Sequence, residues 1–430
     1  MAMTPEILVR AVAPGDWQIW RELRLRGLAD APDAFGSTLA REREFGDDRW
    51  RAKVAPDPAR EVWLAERDGV AVGTAVAMLA PDGLRSQLFA MWVAPEARRS
   101  GAARALIAAA RGWAAARGAC ELVLHVTDGN LAAIELYRTA GFADTGVRGE
   151  LRPGTGLVSR RLAARLRTLV MGIVNVTPDS FSDGGVFLEH GAAIARGVQL
   201  LHEGADIVDV GGEATNPRAT PVTADEELRR VLPVVERLAA GGARVSIDTT
   251  KASVARAAIA AGARIVNDVS GGLFDPEMPD AIGDATYIAG HLRGGSLAEV
   301  FAREAAAAPL DWRTVADELA ERLAALPAAV RDRAWVDPGL GFGKGADPEV
   351  NLALLRHSGA LGARLGRPVV VGPSRKRFVR RAFGVRNDDL AGLDAASVEA
   401  SLEAIAAGAN VVRVHNVALL RAAIALYTKQ

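Results

Sequence analysis

With one cysteine in 430 residues, the chain cannot form an internal disulfide. Cys120 lies in "ACELVLHV", an apolar setting that marks a buried strand residue and not a nucleophile. The six histidines are scattered without ligand spacing, so no structural metal site is expected. No excess of either charge exists: 52 basic and 52 acidic residues leave a net charge of +0, which argues against a nucleic-acid binder with a basic face. No run of about 18 uncharged apolar residues suggests a membrane span. The opening "MAMTPEILVR" has no basic region leading into an apolar one, so no secretion signal is expected and a cytoplasmic location is. What is present is half apolar and, at roughly 150 residues per domain, long enough for two or three soluble domains.

From Thr168 onward short β-branched runs alternate with Ala/Leu/Arg-rich helical stretches. The runs are "TLVMGIVN", "DIVDVG", "RVSIDT", "RIVNDV", "TYIAGH", "AWVDPG", "PVVVGPS" and "VVRVHN". Eight such units predict parallel strands with crossover helices and an α/β fold, a (β/α)8 barrel, with a doubly wound open sheet as the alternative. Before Thr168 the organisation differs. "EVWLAERDGVAVGTAVAML", 61 to 79, reads as an antiparallel hairpin turning at "RDG". A strand, a long helix, the strand "CELVLHVT" and the helix "NLAAIELYRTAG" follow, predicting a mixed α+β domain. The boundary is placed at Ala164, giving domains 1–164 and 165–430, and the arginine run "RRLAARLR", 160 to 167, is read as a solvated helix or linker face.

In a (β/α)8 barrel catalytic groups sit at the carboxyl ends of strands. Here those ends carry Asn175, Asp209, Asp248, Asn267, His291, Asp337, Lys376, Arg413 and His415. One Asp at such a place is often a helix N-cap, but a polar group at every end is hard to explain by capping. Carboxylates and amides facing one mouth suit a nitrogen-rich heterocycle, and Lys376, Arg413 and His415 suit an anion. No Ser-His-Asp or Cys-His arrangement is found.

The segments "MGIVNVTPDSFSDGG", "DIVDVGGEAT", "IDTTK", "IVNDVSGG", "DPGLGFGK", "SRK" and "VRVH" resemble, in order and spacing, the signature segments of the dihydropteroate synthase family. The resemblance implies condensation of 6-hydroxymethyl-7,8-dihydropterin pyrophosphate with p-aminobenzoate, releasing pyrophosphate, on the folate route. It implies pterin binding by Asp248, Asn267, Asp337 and Lys376, with Asp209 lining the same mouth. Asn175 matches the residue that coordinates Mg2+ with the pyrophosphate, Arg413 and His415 match the anion pocket, and Thr215, Phe342 and Ser374 match the p-aminobenzoate side. It also implies a homodimer through the barrel. Asn216, Leu292, Arg293, Pro373 and Asn416 depart from the family pattern, and these changes bear on the second substrate and on sulfonamide sensitivity more than on the pterin.

"VAPEARRSGAARAL", 93 to 106, leaves a strand and enters a helix through Arg98-x-x-Gly101-x-Ala103, where successive N–H groups form an anion nest. "NLAAIELYRTAGF" lies about 30 residues on. Together they resemble the GNAT acetyltransferase superfamily over residues 5 to 162. The resemblance implies acetyl-CoA held by Arg98, Arg99, Ser100, Gly101, Ala102, Ala103 and Asn130, with Tyr137 as the acid that protonates the departing thiolate and a primary amine as acceptor. The chain is thus expected to be a bifunctional enzyme. The alternatives are that one domain is a silent binding module, or that the pair acts in sulfonamide resistance.

Overall fold

The computed structural model describes residues 7–81, 83–177, 186–215, 221–303, 309–345 and 347–427. The chain divides into two compact units, Met1–Arg167 and Thr168–Gln430.

The first unit is built on a seven-stranded sheet in the order β1-β2-β3-β4-β5-β7-β6. Its strands are β1 (Ile7–Ala11), β2 (Arg60–Arg67), β3 (Val70–Leu79), β4 (Arg85–Val93), β5 (Glu121–Thr127), β6 (Ala143–Glu150) and β7 (Val158–Arg165). β2 and β3 form the expected hairpin, with Asp68 and Gly69 both at positive φ (54° and 76°), the geometry that two-residue hairpin turns require. β4 and β5 are the parallel pair, and their ladder runs only from Arg85–Gln87 against Glu121–Val123. Downstream of that, β4 carries Ala90 at a φ of 52°, and its register with β3 breaks between Thr74 and Val76. The helix Ala102–Ala116 covers one face of the sheet with Leu106, Ile107, Ala110, Trp113 and Ala114, while Trp17, Trp20, Trp50 and Trp92 fill the other.

One expectation is overturned here. Residues 160 to 165 are not a helix or linker face but part of β7, and two of their arginines are held by carboxylates. Arg160 pairs with Asp128 and Asp144, and Arg161 with Glu121. The alternation of buried Leu162 and Ala164 with less buried Arg161, Ala163 and Arg165 is a strand's period of two, which the density of arginine disguises.

The second unit is an eight-stranded parallel sheet in the order β13-β12-β11-β10-β9-β8-β15-β14. The strands are β8 (Leu169–Asn175), β9 (Ile207–Gly211), β10 (Val245–Asp248), β11 (Ile265–Asp268), β12 (Thr286–Gly290), β13 (Trp335–Asp337), β14 (Val370–Val371) and β15 (Val411–Val414). A parallel bridge from Val336 to Val369 brings the two ends of this order together into a TIM-like barrel. Helices such as Ala224–Ala240 and Leu390–Ala406 separate the strands, and their apolar faces pack on the outside of valine-rich strands buried on both faces. No helix among the described residues is long and apolar enough to cross a membrane.

At the mouth the β11 loop is tied by one fully buried carboxylate. Asp268 accepts from Ser270 N (2.8 Å), Ser270 Oγ (2.7 Å), Gly272 N (2.7 Å) and Tyr287 OH (2.8 Å). Replacing it by alanine strands these buried donors, so Asp268→Ala is expected to lower stability by about 3 kcal/mol or more. Urea unfolding checks this, and an unchanged midpoint would show that the network does not hold the loop.

Candidate active site

Parallel strands place their carboxyl ends on one side of the barrel, so residues distant in the chain converge there. Asp209 on β9 is completely buried, and its Oδ2 accepts from Arg413 Nε at 2.5 Å and Asn267 Nδ2 at 3.1 Å. Arg413 Nη2 donates in turn to Asp248 Oδ2 at 2.6 Å. Thus β9, β10, β11 and β15 each contribute one side chain to a single network. The other oxygen of Asp209 is buried with no hydrogen-bond partner among the described residues. Burial pushes the Asp248 carboxyl up to about 7; the facing charge of Arg413 opposes this and that of Asp209 adds to it. Arg413, between two carboxylates, stays charged throughout.

Across the mouth stand Asp337 and Lys376. Asp337, at the end of β13, accepts from Gly339 N at 2.7 Å, and burial raises its pKa while Lys376 lowers it. Lys376 donates from Nζ to Leu340 O, and that ammonium lies 4.1 Å from the centre of the Phe342 ring. Ser374 Oγ bonds His415 at both Nδ1 (3.0 Å) and the backbone N (3.1 Å). Burial, helped by Arg375 and Arg413, pulls His415 down to about 3, so it enters as a neutral imidazole, whereas the sequence reading counted it among the cations. Thr215 ends the described part of its loop and is half-buried, and Asn175 is exposed at the end of β8. Among the described residues no group of three or more His, Cys, Asp or Glu side chains is arranged to hold a metal.

Of the departures from the family pattern, Asn216 lies outside the described residues. Leu292 is fully buried against Val300 and Phe342, a place that any long apolar side chain fills. Arg293 pairs with Glu318. Asn416 donates from Nδ2 to Asp394 Oδ2 at 3.1 Å, beside the pair that Asp394 makes with Arg375, and an aspartate there would face a like charge.

In the first unit, Arg99 and Gly101 are at positive φ (63° and 94°), and Gly101 leads into the helix Ala102–Ala116 without a side-chain cap. Arg98 is engaged by Asp30, and Ser100 Oγ donates to Ala97 O at 2.6 Å. Asn130 caps the helix Leu131–Thr139, its Oδ1 accepting from Ala133 N at 3.2 Å. Tyr137 is buried, with its hydroxyl 3.6 Å from Met91 Sδ on β4 beyond the end of the β4–β5 ladder. Burial pushes its phenol up to about 12.

Residues 171–415, more than half of the chain, match the family model of the pterin binding enzymes. The chain belongs to the pterin-binding enzyme family. Residues 25–142 match the acetyltransferase (GNAT) family, so a GNAT domain precedes the pterin-binding barrel. The barrel is 43% identical over 260 residues to dihydropteroate synthase of Mycobacterium leprae, covering 58% of this chain and 88% of that protein. It is 38% identical over 268 residues to a mitochondrial folate synthesis bifunctional protein of Arabidopsis thaliana, of whose length this chain spans 47%. Among solved structures it is similar to Xanthomonas albilineans dihydropteroate synthase with 4-aminobenzoic acid. That likeness has a TM-score of 0.55 and 42% identity, and covers 62% of this chain and 94% of that one.

Sequence reasoning listed His291 but missed two lysines of this pterin-binding barrel. Lys344 is completely buried against His291, and Lys251 is held by Glu213 and Glu227. The only signal was their place after strand ends, in "DPGLGFGK" and "IDTTK". Arg413 is the residue whose removal the network tolerates least, because two buried carboxylates lose their counter-charge. Arg413→Met is expected to cost about 3–5 kcal/mol. Denaturant unfolding at pH 8 checks this, and an unchanged stability would mean that the carboxylates are held by something else.

Proposed function

We propose that the barrel joins the amino nitrogen of p-aminobenzoate to the methylene carbon of 6-hydroxymethyl-7,8-dihydropterin pyrophosphate. The C–N bond forms as the C–O bond to pyrophosphate breaks, and the amine proton passes to solvent, giving 7,8-dihydropteroate. One observation carries this reading. Asp209, Asp248, Asn267, Asp337, Lys376 and Arg413 converge at one mouth, in a chain whose solved relatives include complexes with 4-aminobenzoic acid, 7,8-dihydropteroate and 6HMPPP.

The unpartnered buried oxygen of Asp209, with Asp248, Asp337 and Asn267, suits the N–H and amino donors of a pterin ring. Carboxylates at Asp248 and Asp337 stabilise positive charge developing on the methylene carbon. Because a neutral arylamine attacks, no strong base is needed. Phe342 forms an aromatic wall for the aminobenzoate, with Thr215 and Ser374 as its hydrogen-bonding partners, and Lys376, whose ammonium meets that ring, holds the pterin beside it. Arg413 and His415 are the residues this reading assigns to the departing anion. Asn175, an exposed amide at the end of β8, would hold a Mg2+ ion, which takes oxygen ligands of this kind. Such an ion would supply positive charge toward the leaving pyrophosphate.

For the first unit the same proposal assigns acetyl transfer from acetyl-CoA to an amine. The positive-φ turn at Arg99 and Gly101, with Ser100, Ala102 and Ala103, suits the pyrophosphate of the coenzyme. Tyr137, whose phenol stays protonated across neutral pH, suits the acid that meets the thiolate. Arg98 and Asn130 already serve Asp30 and a helix cap, so their part is to shape the turn and the helix end.

Pyrophosphate release by the full chain with both substrates and Mg2+ tests the barrel. Asp248→Ala and Lys376→Ala are each expected to lower it by on the order of 100-fold or more; turnover equal to that of the unaltered chain would remove these residues from the chemistry. The pH dependence follows from Asp248. Its carboxyl is raised, so the ionised form that accepts from the pterin is present above about 7 and is lost as pH falls through that value. Pterin affinity by calorimetry is therefore expected to weaken by about tenfold per pH unit below this point and to level off above it. A flat profile, or an unchanged one in Asp248→Asn, counts against the assignment. For the first unit, acetyl-CoA binding by calorimetry, with thiol release on a panel of amines slowed in Tyr137→Phe, is the expected result; no binding would make this unit a silent module.

A further inference from the structure

We propose that Lys344 is a positioning residue for the second substrate, fixing from inside the barrel the loop on which the Phe342 ring and the Lys376 ammonium depend. This rests on the reading of the barrel given above.

Lys344 is completely buried, and its Nζ has three partners: His291 Nδ1 at 3.0 Å, His291 O at 3.0 Å and Phe342 O at 3.1 Å. Three partners match the three donors of an ammonium. Donation to Nδ1 places the imidazole proton on Nε2, which then donates to Glu318 Oε2 at 2.9 Å. A buried cation is thereby joined through one neutral ring to a carboxylate at the barrel edge, which Arg293 also engages. Burial pulls the Lys344 amine down to about 7, with Lys376 and Arg322 adding to this and Asp337 and Glu318 opposing it.

The backbone beside Lys344 is closely packed. A Cβ on Gly339, whose φ is 69°, would lie 1.8 Å from His291 O and 3.1 Å from Lys344 Nζ, so the loop after β13 lies directly on the end of β12. Phe342 is therefore held by its carbonyl from within. Its ring is met on the mouth side by Lys376, which also bonds Leu340 O. Two lysines grip one short loop, and only Lys376 reaches the mouth. Asp337 at the start of that loop has its own anchor in Gly339 N. Loss of Lys344 should thus displace the Phe342 wall while leaving the pterin carboxylates in place.

The test uses the full chain, pyrophosphate release with each substrate varied in turn, and thermal unfolding. Lys344→Met is expected to raise KM for p-aminobenzoate about tenfold or more and KM for the dihydropterin pyrophosphate less than about threefold. His291→Leu is expected to follow it, whereas His291→Asn, whose Oδ1 can accept in place of Nδ1, restores most of the loss. Glu318→Gln, at the solvent end, keeps the fold and is expected to raise the same KM about threefold. Equal rises in both KM values, identical behaviour of the two His291 variants, or an unchanged aminobenzoate KM in folded Lys344→Met or Glu318→Gln overturns the proposal. No turnover by the unaltered chain defeats the reading of the barrel itself.

Discussion

The barrel interior depends on one guanidinium set between two carboxylates. Asp209, fully buried, and Asp248, largely so, come from adjacent strands, and like charges away from water repel far more strongly than in solvent. Arg413, on β15 with β8 between it and β9, reaches both at 2.5 and 2.6 Å. Such a triad contributes little net stability, since desolvation offsets most of the attraction. What it does is fix orientation, because Asn267 and the unpartnered oxygen of Asp209 take their places relative to that arginine.

How much of this could be read beforehand follows from the architecture. In a parallel barrel every strand aims its carboxyl end at the same mouth, so marking strand ends was enough to collect Asp209, Asp248, Asn267, Asp337 and Arg413 without knowing the fold in three dimensions. The partners of those residues were not legible. Arg413 read as an anion binder, and its engagement by two carboxylates depends on side chains 165 and 204 residues away in the chain. His415 read as a cation, and only its burial beside Ser374 makes it neutral. Asn130 read as a coenzyme contact because its motif says so, while the first local use of an asparagine at that point is to cap a helix.

Loop chemistry was the least legible layer. The β13 loop contains glycines and two apolar residues that suggest nothing of a buried ammonium, yet Lys344 ends beneath it with three acceptors. A lysine in a sequence is by default a solvated side chain. Departures that looked unsettling as letters also turn out to be local solutions. Asn416 supplies donors to an aspartate that already faces an arginine, and Leu292 fills an apolar niche against Phe342.

The short ladder between β4 and β5 gives the first unit a property that side chains do not control. After three residue pairs the strands separate, so this sheet has an inner edge as well as two outer ones. An edge offers main-chain donors and acceptors at a fixed spacing, and an extended molecule bearing amides can join it as another strand would. Attachment of that kind reads the backbone alone. Leu88 and Trp92 are committed to the core, so what this inner edge offers is set by the backbone from Phe89 to Val93, where Ala90 already turns at a positive φ.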